Sequence, residues 1–218
     1  MQGTLKMPPC IRIKEMDNMA KTFWEALQNR RSIYGLSDEK VVSEQRIEEI
    51  VKDAVTYTPS SFNSQSTRVV LLFGEQSKKL WQITLDTLQK LVSPEQFIET
   101  EKKINGAFAS GYGTVLFFED QTVVDGLMKG FPLYADNFPV WSQHTNAMHQ
   151  LVVWTALEAE GLGASLQHYN PIIDSAVQTE WNIPATWKMI AQMPFGKPAF
   201  TPSEKQVADM DSRVKVYK

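Results

Sequence analysis

The sequence predicts a mixed fold of the α+β or α/β class with more helix than strand, and the pattern alone leaves the strand order open. Three observations carry this reading. Two apolar runs of strand length, Val69-Val70-Leu71-Leu72-Phe73 and Thr114-Val115-Leu116-Phe117-Phe118, stand within the 218-residue chain. Longer segments around them repeat apolar residues at three- and four-residue intervals, the helical period. Helical and strand patterns are interspersed throughout, without an internal repeat, and 43% hydrophobic residues suffice for the core of one ordinary domain.

Residues 1–16 carry Pro8-Pro9 and no clean period, so they read as a leader, with 17–218 as a single domain. Asp17 is placed to cap a helix whose Met19, Ala20, Phe23, Trp24 and Leu27 form one apolar stripe, ending near Asn29. A second helix starts at Ser43 and buries Ile47, Ile50, Val51, Ala54 and Val55, which leaves Arg30-Arg31-Ser32-Ile33-Tyr34 on the connection. The polar loop from Thr58 to Ser66 leads into the first apolar strand. Helices follow over 76–92 and 94–105, separated at Ser93-Pro94, and the second strand lies within 111–119.

Between 121 and 140, Gly126, Gly130, Pro132 and Pro139 interrupt Phe131, Tyr134 and Phe138, which predicts short helix and an aromatic lid able to roof a pocket. A central helix over 141–160 is apolar nearly all round, through Met148, Leu151, Val152, Trp154 and Leu157, so it is buried on most sides or set against a partner subunit. It stops at Gly161-Leu162-Gly163, before a short strand at 164–166. Asn170-Pro171 opens a helix to about Gln178, residues 187–193 read as a strand, and Arg213-Val214-Lys215-Val216-Tyr217 alternates as a terminal strand.

Composition narrows the function. Lys and Arg number 22 against 25 Asp and Glu, a net charge of −3 that gives no general drive toward nucleic acid or an anionic membrane. Cys10 stands alone, so neither an intrachain disulfide nor a Cys-X-X-Cys redox pair is available, and redox chemistry would have to be borrowed. No apolar run approaches the roughly 20 residues of a membrane span, and a cytoplasmic location is the default expectation. His144, His149 and His168 form no metal motif, Ser60 and Ser61 lack a nucleophile elbow, and neither a dinucleotide fingerprint nor a Walker loop is present.

What remains is a set of small recognition elements. Arg30, Arg31 and Ser32 suit a phosphate or carboxylate, although adjacent arginines at a helix end are more often solvated or paired with surface acids. The loop from Ser60 to Gln65 offers hydroxyls and the Asn63 and Gln65 amides to a heterocycle edge, or is a plain turn before a strand. Gly161-Leu162-Gly163 lets backbone N–H groups approach a planar ligand, or is an ordinary helix cap. Arg213 and Lys215 share one side of an extended segment, as a phosphate clamp or as the charged edge of a sheet.

In order and spacing, Arg30-Arg31-Ser32-Ile33-Tyr34, Pro59-Ser60-Ser61-Phe62-Asn63-Ser64-Gln65, Gly161-Leu162-Gly163 and the basic C-terminal segment resemble the flavin-dependent nitroreductase family over roughly residues 18–218. The stretches Thr58 to Arg68 and Met193-Pro194-Phe195-Gly196-Lys197-Pro198 look most like its compact fatty-acid-repression nitroreductase-like subgroup.

The resemblance implies an α+β intertwined homodimer, with a central, mostly antiparallel sheet flanked by helices and FMN at the subunit interface. Arg30 and Ser32 would engage the phosphate and ribityl end, and Arg31 the polar edge of the isoalloxazine. Pro59, Ser60 and Ser61 would lie along the cofactor from the partner-facing loop, with Asn63 and Gln65 bonded to it. The backbone at Leu162 and Gly163 would face N5 and O4, and Arg213 with Lys215 would finish the phosphate pocket, as Arg-X-Lys where many relatives carry Lys-X-Arg.

The implied activity is ping-pong electron transfer from NADH or NADPH to a small aromatic acceptor, nitroaromatic or quinone-like, with no catalytic side chain and no metal. The alternative is a low-turnover flavin-binding regulatory or stress-response protein.

Overall fold

The computed structural model describes residues 21–218. The expected leader over 1–16, and the Asp17 cap with Met19 and Ala20, lie outside these residues. The two apolar runs fall in neighbouring strands, β2 (Thr67–Phe73) and β3 (Gly113–Asp120), paired antiparallel. Strand β5 (Trp187–Pro198) flanks β3 on the other side, its far end pairing with β1 (Leu36–Ser37) and with β4 (Gly163–Ala164). The sheet order is β1-β5-β3-β2, with β4 also on β5 and every strand pair antiparallel, so the class is α+β.

Alternation along β3 explains why its sequence is continuously apolar. Val115 and Phe117 face one core with Ile47, Val51, Val153 and Leu157; Leu116 and Phe118 face another with Leu80, Trp81, Ile104 and Phe108. Helices α2 (Glu44–Tyr57) and α6 (Phe138–Ala159) cover the first face, and α3 (Gly74–Leu88), α4 (Pro94–Ala107) and α7 (Asp174–Glu180) cover the second. With both faces covered, every side chain of the strand can be apolar. Two helices also lie outside these layers, α1 (Phe23–Asn29) and α5 (Gln121–Gly130).

Several expectations need correction. Helix α1 is capped by Thr22, which accepts from the Glu25 amide while Glu25 accepts from the Thr22 amide, a reciprocal box. It buries Ala26 and leaves Phe23 and Trp24 exposed, and Val55 of α2 is exposed as well. Asn170 does not open α7, because its side-chain oxygen accepts from Gln192 Nε2 (3.2 Å) and the helix begins at Asp174. No strand forms over 213–217. Alternation fixes which residues share a face but names no partner, and Val214, Val216 and Tyr217 of that segment are exposed.

Where β1, β4 and β5 converge, Gly196 is required by close approach. A Cβ there would stand 2.5 Å from the Ser37 carbonyl oxygen and 3.0 Å from the Tyr112 amide nitrogen, both backbone atoms. Gly196→Ala is expected to destabilise the protein by about 1–3 kcal/mol through overpacking. Urea unfolding checks this, and an unchanged midpoint would contradict the close approach.

Candidate functional site

The predicted recognition residues fall into two groups at opposite ends of α6. At its C-terminal end, α1 delivers Arg30 over the Trp154 ring, 4.4 Å from the ring centroid. The next residues are fixed by the Ile33 amide, which donates to the Ala164 carbonyl (2.9 Å) and sets Ser32 beside β4. Arg31, Ile33, Trp154, Leu162, Gly163 and Phe200 line a cavity of about 240 Å³. A second of about 380 Å³ shares Arg31 and adds Ser32 and Tyr34. The sequence thus brings Arg30, Arg31, Ser32, Leu162 and Gly163 together, as their order in the chain could not show.

This end has the electrostatics of an anion site. Burial, followed by the adjacent charge of Arg31, holds the Arg30 guanidinium below its ordinary value. Among the described residues Arg30 Nε is buried without a hydrogen-bond partner, and no acid forms a salt bridge to Arg30 or Arg31. Two guanidiniums without a salt bridge among these residues, at a cavity whose one acid, Glu158, is paired with Lys21, together with the exposed Ser32 suit a phosphate. One expectation is corrected here: the Leu162 amide donates to the Leu157 carbonyl (2.9 Å), closing α6, and is not free for a ligand. Segment 200–203 also lies over this end, where Arg31 Nη1 donates to the Ser203 carbonyl (2.8 Å).

At the N-terminal end of α6 stands the loop that holds Pro59, Ser60, Ser61, Asn63 and Gln65. Phe62, Asn63 and Gln65 all have left-handed backbones, with φ of 56°, 50° and 49°. Each such non-glycine costs on the order of 1–2 kcal/mol, so the surroundings must over-determine the loop. Ser60 ties it from within, its carbonyl accepting from the Asn63 amide (2.9 Å) and its Oγ from the Gln65 amide (3.0 Å). Arg68 Nη1 donates to the Gln65 carbonyl (2.7 Å), and Phe62 packs among Phe131, Tyr134, Phe138 and Trp141. The expected aromatic lid is therefore part of the loop's foundation.

Beneath the loop is a feature that sequence reading missed. Glu119 is fully buried and accepts from Ser66 Oγ (2.5 Å), Thr67 Oγ1 (2.5 Å) and Asn146 Nδ2 (2.9 Å). Gln150 in turn donates to Asn146 Oδ1 (2.7 Å). The available signals were an acid ending an apolar strand and two amides four residues apart on one helix.

The two groups are far apart within one chain. Phe62 stacks on Trp141 and Arg30 on Trp154, thirteen helical residues or about 20 Å along the axis. Between them α6 exposes Met148, Leu151 and Val152, 40–45% accessible, as an apolar stripe. Arg213 and Lys215 are exposed on the C-terminal segment and join neither group. A hollow of about 470 Å³ between the first turns of α6 and β5 contains none of the predicted residues. Among the described residues no cluster of His, Cys, Asp and Glu could hold a metal, and no helix is long and apolar enough to cross a membrane.

Comparison with known proteins adds an independent line. The model of the nitroreductase family matches residues 27–197. The chain is 35% identical over 185 residues to nitroreductase FRM2 of Saccharomyces cerevisiae, covering 84% of this chain and 91% of the relative. The structure of nitroreductase CinD from Lactococcus lactis, in complex with chloramphenicol, superposes with a TM-score of 0.81 at 44% identity, over 90% of this chain and 100% of that one. An Exiguobacterium sibiricum protein solved in complex with FMN shares the fold at 14% identity, with a TM-score of 0.67 over 91% of this chain and 98% of that one.

Proposed function

Because this chain belongs to the nitroreductase family, a family of oxidoreductases, we propose that it is an FMN-dependent enzyme of the cytoplasm passing electrons from NADH or NADPH to small nitroaromatic or quinone-like acceptors. The observation that carries this reading is the division of the recognition residues between the two ends of α6, with an exposed apolar stripe between them. Two copies packed antiparallel along that stripe set the arginine end of one beside the loop of the other. Each interface of such a two-fold dimer then holds two equivalent sites.

Arg30, whose Nε has no partner among the described residues, and Ser32 fit the phosphate and ribityl end of FMN. Arg31 lies nearer the polar edge of the ring, where its fixed positive charge favours an anionic partner. Gly163 lines the cavity, and glycine is required there by packing within the chain, since an added Cβ would meet Ile33 and Pro198 at 3.0 Å. Pro59, Ser60, Ser61, Asn63 and Gln65 reach across from the second copy, and Arg213 and Lys215 of its exposed C-terminal segment complete the phosphate pocket. When bound, the flavin supplies hydride acceptance and donation in a ping-pong cycle. The protein's own part is to bind, to orient and to exclude water from the ring. The CinD complexes with chloramphenicol and with 4-nitrophenol support aromatic nitro compounds as the acceptor class.

An absorbance scan of the flavin-loaded protein under argon tests the reading. Bleaching on addition of NADH or NADPH, and recovery on addition of 4-nitrophenol or a quinone, is the expected result. Protein that retains no flavin after reconstitution with FMN would contradict it. Tightly bound flavin that neither nucleotide reduces would favour the regulatory alternative.

A further inference from the structure

We infer that Glu119 is a positioning residue, whose buried carboxyl group sets the geometry of the 58–66 loop against the flavin; this rests on the flavin reading above. A buried carboxyl is expensive unless its oxygens are satisfied, and here all three contacts come from donors. Two of those donors, Ser66 and Thr67, directly follow left-handed Gln65. The third, Asn146, also donates to the Phe118 carbonyl (3.1 Å) and lies on the inward face of α6, away from the Met148, Leu151 and Val152 stripe. The carboxyl therefore joins the exit of the loop to the helix that carries the proposed interface.

The adjacent acid completes the arrangement from the other face of β3. Asp120 accepts from Arg68 Nη2 (3.0 Å), while Arg68 Nη1 holds the Gln65 carbonyl. The Asp120 amide also donates to the Ser66 carbonyl (2.9 Å). Consecutive acids thus secure the two sides of the same loop exit, one fully buried and one half-buried. Phe62, Asn63 and Gln65 would otherwise relax toward right-handed backbone, and the side chains of Ser60, Ser61 and Asn63 would turn with them.

Glu119→Gln and Ser66→Ala separate positioning from folding. In the first, the amide oxygen can still accept from Thr67 and Asn146, while the amide nitrogen faces Ser66, whose hydroxyl must reverse its role. In the second, only the hydroxyl that reads the carboxyl is lost. Glu119→Gln, which keeps every partner, is expected to hold its apo melting temperature, and Ser66→Ala to lower it because one buried carboxyl oxygen loses its donor; measured well below either transition, each raises the FMN dissociation constant about tenfold, the worth of roughly one hydrogen bond. The double variant should be no weaker than either single one, because both break the same link. Combining Glu119→Gln with Arg31→Ala, at the other end of α6, should instead multiply the two losses.

A changed visible band shape of the bound flavin provides a readout that a purely structural role would leave alone. Wild-type-like FMN affinity and spectrum in both single variants, or fully multiplicative losses in the double variant, would overturn the positioning role. Wild-type protein that binds no FMN would overturn the flavin reading itself, and this inference with it.

Discussion

Leu151→Asp is expected to convert the protein to a monomer that has lost its flavin while remaining folded. Leu151 is 45% exposed on α6, so the isolated chain should tolerate the change within about 0.5 kcal/mol, as ordinary surface positions do. In a two-fold interface the same substitution places an unpaired carboxylate against the stripe twice. Burying an uncompensated charge costs about 3–5 kcal/mol, enough to separate the subunits at micromolar concentration. Light scattering after size exclusion reads the mass, and the flavin-to-protein absorbance ratio reads the cofactor. A flavin-loaded dimer would show that the stripe is not the interface.

Arg30→Ala is the second large effect. It removes a guanidinium that stacks on Trp154 and has no acidic partner among the described residues. Apo stability should therefore change little, because a buried Nε without a partner among the described residues goes with it. Flavin affinity should fall about tenfold to a hundredfold, the worth of one charge-assisted contact to phosphate at about 1.5–3 kcal/mol. Titration with FMN measures this. Unchanged affinity would reject the phosphate role, whereas a collapse of apo stability would show that the side chain serves the core.

The sequence was most legible where local chemistry decides. The apolar runs read directly as strands, as did Ser43 as the α2 cap, because apolar continuity and capping act over a few residues; β3 is buried as expected, whereas β2, at the sheet edge, is half-buried except at Thr67 and Leu72. The motif Arg30-Arg31-Ser32 and the loop from Ser60 to Gln65 were visible as concentrations of polar groups between periodic segments. Their division between the ends of α6 was not, since Trp154 and Phe62 assign the ends and both contacts are tertiary. Glu119 escaped notice because its partners lie 52, 53 and 27 residues away, and no periodicity links a strand end to a loop exit and a helix face. The misread C-terminal segment shows the converse: Val214 and Val216 alternate with Arg213 and Lys215, yet a pleat needs a neighbouring edge to become a strand.

The central claim is that each flavin is held by the arginine end of one chain and the loop of another, and mixed dimers test it most directly. Arg30→Ala disables one end; Asn63→Asp disables the other, replacing an amide donor with a charge while keeping a residue type that tolerates left-handed backbone. Each variant alone should retain little flavin. Co-expressed with different tags and purified through both, the mixed dimer should bind one flavin per two chains, because one of its two sites is wild type throughout. A mixed dimer as empty as its parents would place both recognition elements of each site within a single chain and contradict the account.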